Sequence, residues 1–303
     1  MTFGVAQQTR SLAVLAVLGA SLATALSLAA DRPPASQPRA ASQSTNVPPR
    51  WLQGHRDKKG ICLGGGEGGR TWGQTIRLLH AWWVYDWGLH PAGAIPKGVH
   101  YIPMVWGHAG EETGDTTWLT DKFKKHIYEY LLTFNEPDNS TQSNMPVKTA
   151  LKLWPQLQST GMIIGSPACV HPGGLWMRQF MQAAARLRYR VNFVCVHWYG
   201  PPDPAQFLGE IAATYRLYHR PIWITEFAVA DWGASRQRPN AYSQAAVVGF
   251  LRVVIPVLDR LGYVQCYAWY PYGGTSRFTA LGCSGLFDKK GNLTAVGRAY
   301  ARY

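Results

Sequence analysis

From Lys59 onward, short apolar runs recur along the chain, centred on residues 61–63, 82–85, 100–103, 130–134, 162–165, 192–196, 222–225 and 264–268. Continuous apolar runs of this length, bounded by turn residues, read as strands buried on both faces, the pattern of a parallel sheet. Between them lie stretches with apolar positions at helical spacing, at 147–160, 175–189, 204–218 and 243–261, which read as amphipathic helices. Only the link from the second run to the third is too short for a good helix. Eight strands alternating with helices over roughly 250 residues predict an α/β fold, the (β/α)8 or TIM barrel, with its reactive groups at the carboxyl ends of the strands.

The first fifty residues break the pattern. Arg10 precedes an apolar stretch from Leu12 to Ala30, and Ser27-Leu-Ala29 supplies the small residues of a signal-peptidase site. Residues 1–30 are therefore expected to be a signal peptide, or an uncleaved anchor, since the stretch is long enough to span a bilayer. Residues 31–50 are rich in Pro, Ser, Ala and Gln, a linker composition, and 51–303 form the expected catalytic domain. The protein is thus expected to be secreted or periplasmic, or held at a membrane by its N-terminal segment.

Composition narrows the function classes. Hydrophobic residues make up 47% and charged ones 16%, enough to fill a large core. The net charge of +13 would suit nucleic acid, but the 30 Lys and Arg are scattered and carry no known nucleic-acid motif, so that class is set aside. Five cysteines in an exported chain allow one or two disulfides and leave at least one free thiol. No CxxC or HExxH spacing occurs, so neither a metal nor a cofactor is expected. Gly64-Gly-Gly-Glu-Gly-Gly69, with Asp86 beyond it, imitates a dinucleotide-binding fingerprint. A glycine run fits many patterns by chance, and the segment reads better as the first β/α loop.

Two glutamates carry the chemistry. Glu136, in Thr133-Phe-Asn-Glu-Pro-Asp138, and Glu226, in Pro221-Ile-Trp-Ile-Thr-Glu-Phe-Ala228, each end an apolar run, on strands four and seven. Cleavage of a glycosidic bond needs one carboxyl group to protonate the leaving oxygen and another to attack or to activate water. Asn135 beside Glu136 is placed to donate to a sugar hydroxyl. His197-Trp-Tyr199 closes strand six, so Tyr199 can hold Glu226 and His197 can meet a hydroxyl or a carboxylate; a satisfied core histidine is the plainer reading. Thirteen tryptophans favour stacking on sugar faces as well as core filling. Trp269 at the end of strand eight is the expected floor for the sugar, with core packing as its alternative, and Trp87 lies on another loop at the mouth.

Together Phe134-Asn-Glu-Pro-Asp138, Gln142-Ser-Asn144, Gly165-Ser-Pro-Ala168, His197-Trp-Tyr-Gly200 and Trp223-Ile-Thr-Glu-Phe-Ala228 resemble glycoside hydrolase family 128 and the related fungal glycosyl hydrolase catalytic core proteins. The resemblance spans roughly Lys59 to Tyr303. It implies a barrel of the large retaining clan, endo-acting on β-1,3-glucan, with Glu136 as acid/base, Glu226 as nucleophile and Asn144 among the substrate-binding residues. The chain departs from the pattern at Thr133, where a glycine is expected, and in the long loop 107–118, both of which bear on the shape of the groove. The expected enzyme is a monomer that takes a β-glucan polysaccharide or oligosaccharide. It requires a raised pKa at Glu136 and carboxyl groups roughly 5–5.5 Å apart. Rival readings are another β-glycanase, such as a mannanase or xylanase, an envelope-remodelling transglycosylase, and a glycan-binding protein without turnover.

Overall fold

The computed structural model describes residues 49, 52, 58–65, 69–108, 115–272 and 274–303. The expected signal and linker segments lie outside these, apart from Pro49, as does the middle of the loop 107–118. Nine strand segments appear in chain order: β1 (Lys59–Cys62), β2 (Trp83–Tyr85), β3 (His100–Tyr101), β4 (Met104–Val105), β5 (Tyr130–Asn135), β6 (Ile163–Ala168), β7 (Val194–Gly200), β8 (Ile222–Val229) and β9 (Val264–Trp269). Seven helices accompany them: α1 (Trp72–Leu78), α2 (Thr116–Lys124), α3 (Val147–Ser159), α4 (Leu175–Arg186), α5 (Pro204–Tyr218), α6 (Gln244–Arg260) and α7 (Ala295–Arg302). No described helix falls between β2 and β3, where the link was too short to predict one.

The strands pair in parallel in the order β3-β2-β1-β9-β8-β7, and β4-β5-β6 form a second run. Two joints connect the runs. The third predicted strand is a single segment cut at Ile102-Pro103, so β3 pairs with β2 and β4 with β5. Proline cannot donate to a ladder, which accounts for a break at that point. On the other side the Asn192 and Ser166 amides donate to the Ile164 and Phe193 carbonyls, at 2.8 and 2.9 Å, and carry the sheet from β6 to β7. Eight barrel positions result, as the alternating pattern implied.

Side-chain alternation separates two cores. Inside the barrel lie Cys62, Trp83, Tyr85, Tyr130, Phe193, Cys195, Trp223 and Cys266. Trp223 is their centre, stacked on Phe193 at 4.3 Å and Tyr130 at 5.3 Å and tilted against Trp83 at 5.6 Å. Rings of this size fit because glycine stands beside them. A Cβ on Gly60 would meet the Trp83 ring at 2.2 Å, and one on Gly165 would meet Phe193 at 2.5 Å. Outside, Ile61, Val84, Leu131, Val196, Ile224 and Tyr267 face the apolar stripes of the helices. Asp203, Ser243 and Thr294 accept from first-turn amides of α5, α6 and α7, which fixes where those helices start.

All five cysteines are free thiols and buried, so the one or two disulfides that their number allowed are not formed. Cys62, Cys195 and Cys266 point into the closed interior of the barrel. No described helix is long and apolar enough to cross a membrane. Asp86, the acidic residue of the apparent nucleotide fingerprint, is spent on structure: it accepts from the Gly88 and Ala92 amides and from the Tyr101 hydroxyl.

Candidate active site

Glu136 and Glu226 meet in one cleft at the carboxyl ends of β5 and β8. Each is aimed there by a local break in the pleat. Opposite β6, the register of β5 shifts between Leu131 and Thr133 and again between Thr133 and Asn135. Phe134 and Glu136 then take positive φ angles of 24° and 43°. Such a bulge turns a side chain away from its expected face, and non-glycine residues in this region carry strain typical of functional sites. The register of β8 shifts against β7 at Val196/His197 and against β9 at Ile224/Phe227. Glu226 turns into the cleft there, while Phe227 packs outward on Phe207 and Trp269.

Each carboxylate is held by several donors. Tyr85 and Trp87 donate to Glu226 Oε1 at 3.0 and 2.7 Å, and the Tyr199 hydroxyl donates to Oε2 in a short bond. Asn139 Nδ2 donates to Glu136 Oε2 at 3.0 Å. His197 lies between the two glutamates, with Nδ1 3.0 Å from Glu136 Oε1 and Nε2 3.4 Å from Glu226 Oε1. One oxygen of each glutamate and one ring nitrogen fall within 4.8 Å of one another. A divalent ion tolerates such spacing, but both ring nitrogens already face carboxylate oxygens.

The electrostatics correct one expectation. Burial favours the neutral form of Glu136, but the hydrogen bond and charge of His197, with Asn139 and His171, outweigh it and hold the carboxyl below its ordinary value. The raised pKa expected of a resting general acid is absent. Burial likewise opposes charge on His197, yet Glu226 and Glu136 overcome it and raise the imidazole. Tyr85 and Tyr199 are pushed far up by burial and by Glu226, so both remain donors.

Other expected residues fall partly in place. Trp87, Asn135, His197 and Tyr199 line a cleft of about 1290 Å³ together with both glutamates. Asn135 donates to Gln142 Oε1 at 3.1 Å, and its own Oδ1 is buried without a partner among the described residues. Trp269 is not in the cleft. It is fully buried on the outer face of β9, edge-on to Phe227 at 4.9 Å, with Nε1 donating to the Ser284 carbonyl. Alternation along β9 turns the next residue, Tyr270, to the cleft instead. Asn144 is exposed and does not line the cleft, where Gln142 of the same string does. Exposed Trp106 and Trp232 stand at the mouth. Sequence reasoning missed Tyr85 and Asn139. Tyr85 was legible as the residue sharing a face with Trp83 one step nearer the strand end, and Asn139 as the polar residue that directly follows the Glu136 string.

A parallel barrel with two glutamates at the carboxyl ends of barrel strands four and seven is an arrangement of the barrel glycoside hydrolases. Comparison with known proteins gives the family: the model of the glycosyl hydrolase catalytic core matches residues 61–300, and the chain belongs to that family. Alkali-sensitive linkage protein 1 of Schizosaccharomyces pombe (strain 972 / ATCC 24843) is 28% identical over 231 residues, 72% of this chain and 39% of that protein. The chain thus spans about two fifths of the curated relative's length. Among solved structures, it is similar to a subgroup I endo-β-1,3-glucanase of glycoside hydrolase family 128 from Amycolatopsis mediterranei, in complex with laminarihexaose. That likeness has 34% identity and a TM-score of 0.68, and it covers 81% of this chain and 99% of the other. A subgroup VII oligosaccharide-binding protein from Trichoderma gamsii shares the fold, at 23% identity and a TM-score of 0.61 over 81% of this chain and 92% of that one.

Proposed function

We propose that the chain is a retaining β-1,3-glucan hydrolase in which Glu226 attacks the anomeric carbon and Glu136 is acid and then base. The observation that carries this reading is the close approach of the two carboxylates, an oxygen of each within 4.8 Å of the other. Retaining enzymes hold their carboxyl groups about 5–5.5 Å apart, whereas inverting ones leave about 6.5–9.5 Å for a water. The three donors on Glu226 hold its carboxylate in one orientation for attack. The choice of β-1,3-glucan follows the similarity to the Amycolatopsis mediterranei glucanase. The cleft is open and flanked by Trp106 and Trp232, a form that suits a chain passing through.

Reducing-sugar release from laminarin, with ¹H NMR of the first product anomer, tests the reading. The parent protein should release β-anomers, and Glu226→Ala should lose activity by on the order of 10⁴-fold. First-formed α-anomers would overturn retention. Absence of release from laminarin, with release from mannan or xylan, would overturn the substrate and keep the hydrolase. Binding of laminarin oligosaccharides without any turnover would make the chain a glycan-binding protein.

A further inference from the structure

The site as described holds a general acid without its proton. Glu136 is held ionised, Glu226 must be ionised to attack, and among the described residues the titratable group between them is His197. Its ring is 2% exposed and each nitrogen faces a carboxylate oxygen. A neutral imidazole would turn a lone pair toward one of those oxygens. Burial favours the neutral ring, and the charged groups around it act against that. Glu226 comes from β8, Glu136 and Asp138 from the end of β5, and these are the charges that act on it. Tyr85 from β2 and Tyr199 from its own strand spend their hydroxyls on Glu226 rather than on the ring. Among the described residues, Nε2 has no hydrogen-bond partner other than the 3.4 Å approach to Glu226 Oε1.

We infer that His197 carries the proton of the resting site and passes it to Glu136 Oε1 when the leaving sugar oxygen arrives. This rests on the hydrolase reading above. The transfer crosses one 3.0 Å contact. The Nδ1–H bond breaks with its electron pair left on nitrogen, and an Oε1–H bond forms, so imidazolium and carboxylate become imidazole and carboxylic acid. Oε1 is the oxygen available for this, because Oε2 already accepts from Asn139. Glu136 then gives the proton to the departing oxygen as Glu226 forms the glycosyl ester. In the second step Glu136 takes a proton from the attacking water, the ester opens to free Glu226, and the proton returns to Nδ1. The net charge of the three side chains is the same before and after each turnover.

Two measurements test it. ¹⁵N NMR of the ring nitrogens reads the proton directly and needs no turnover. In the parent protein His197 should stay an imidazolium above the ordinary histidine value of about 6.5, and in Glu136→Gln it should lose its proton at lower pH. A ring neutral throughout pH 5–8 would overturn the inference. Kinetics of His197→Gln supply the second readout. Laminarihexaose, with its poor leaving group, should lose roughly 10–100-fold in kcat, while a dinitrophenyl β-laminaribioside, which leaves without protonation, should react nearly as fast as before. Equal slowing of both would make His197 a merely structural spacer and overturn the inference. Should that variant fail to fold, the spectrum of the parent decides alone. If neither laminarin nor any other β-glycan is cleaved, the hydrolase reading fails while the NMR result still stands or falls by itself.

Discussion

Glu226 is anchored by hydroxyl and indole groups, with no Lys or Arg among its hydrogen-bond donors in the described residues. Neutral donors orient a carboxylate without cancelling the charge it needs for attack. Tyr199 matters most among them, because it is the donor on Oε2, whereas Oε1 has both Tyr85 and Trp87. A hydrogen bond to a charged group contributes about 1.5–3 kcal/mol, so Tyr199→Phe should lower kcat/KM by roughly 10–150-fold, with KM little changed. Steady-state kinetics on laminarihexaose would check it, and an unchanged kcat would show that Tyr85 and Trp87 suffice. At this scale the sequence was legible for whatever is local to a strand end. Glu136, Glu226, His197 and Tyr199 all sit where the apolar runs stop. The misplacement of Trp269 has a simple physical origin, since a strand sends neighbours to opposite faces: Trp269 falls in the outer core and Tyr270 in the cleft. Nor does composition reveal that His197 outweighs burial at Glu136, because that depends on a 3.0 Å contact between residues on different strands.

At the scale of elements, the run and helix positions were readable because both have strong periodicity, and the four long helices fall close to their expected limits. The split of the third strand and the bulge in β5 were not, since each depends on which neighbour a strand pairs with. The interior aromatic layer shows the same dependence. Gly165 looks like any strand glycine, yet its missing side chain is where Phe193 and Cys195 sit, and an added Cβ would lie 2.5 and 2.7 Å from them. Gly209, inside α5, has nothing within 4 Å of such an atom. Opposite outcomes follow for the same substitution. Gly165→Ala should destabilise by about 1–3 kcal/mol through overpacking. Gly209→Ala should stabilise by roughly 0.5–1 kcal/mol, because alanine loses less backbone freedom in a helix. Denaturant melts of both variants give the comparison, and a neutral Gly165→Ala would mean that the Trp223 stack yields more readily than its close packing implies.

Across the whole molecule, the end of the barrel opposite the cleft is closed by charge as well as by apolar packing. Lys58 donates to the Leu258 and Leu261 carbonyls at the end of α6, at 3.1 and 2.9 Å. Lys59 is fully buried, donates to the Tyr300 carbonyl at 3.2 Å and lies 5.4 Å from the centre of the Tyr300 ring, tying β1 to α7. Burial lowers the Lys59 ammonium to about 8, with Asp259 opposing the shift. The folded value lies below the unfolded one, near 10.5. Below pH 8 both states are protonated and the cost of burying the charge is present in full. Between pH 8 and 10.5 the unfolded chain keeps a proton that the folded chain has released, so stability from this residue rises with pH. At about 1.4 kcal/mol per pKa unit, a shift from 10.5 to about 8 makes the cost at neutral pH on the order of 3–4 kcal/mol. Lys59→Met fills similar space without charge, and the Tyr300 carbonyl keeps the Tyr303 amide as a donor. The variant should therefore be more stable than the parent at pH 7, by somewhat less than that cost because the Lys59 hydrogen bond is also lost. The advantage should shrink steadily from pH 8 to 10.5, since the other groups that titrate there are shared by both proteins and cancel in the difference. Urea melts at pH 7, 8.5 and 10 measure that difference, and an advantage independent of pH would mean that the ammonium finds enough polar company at this end of the barrel to stay charged as it does in water.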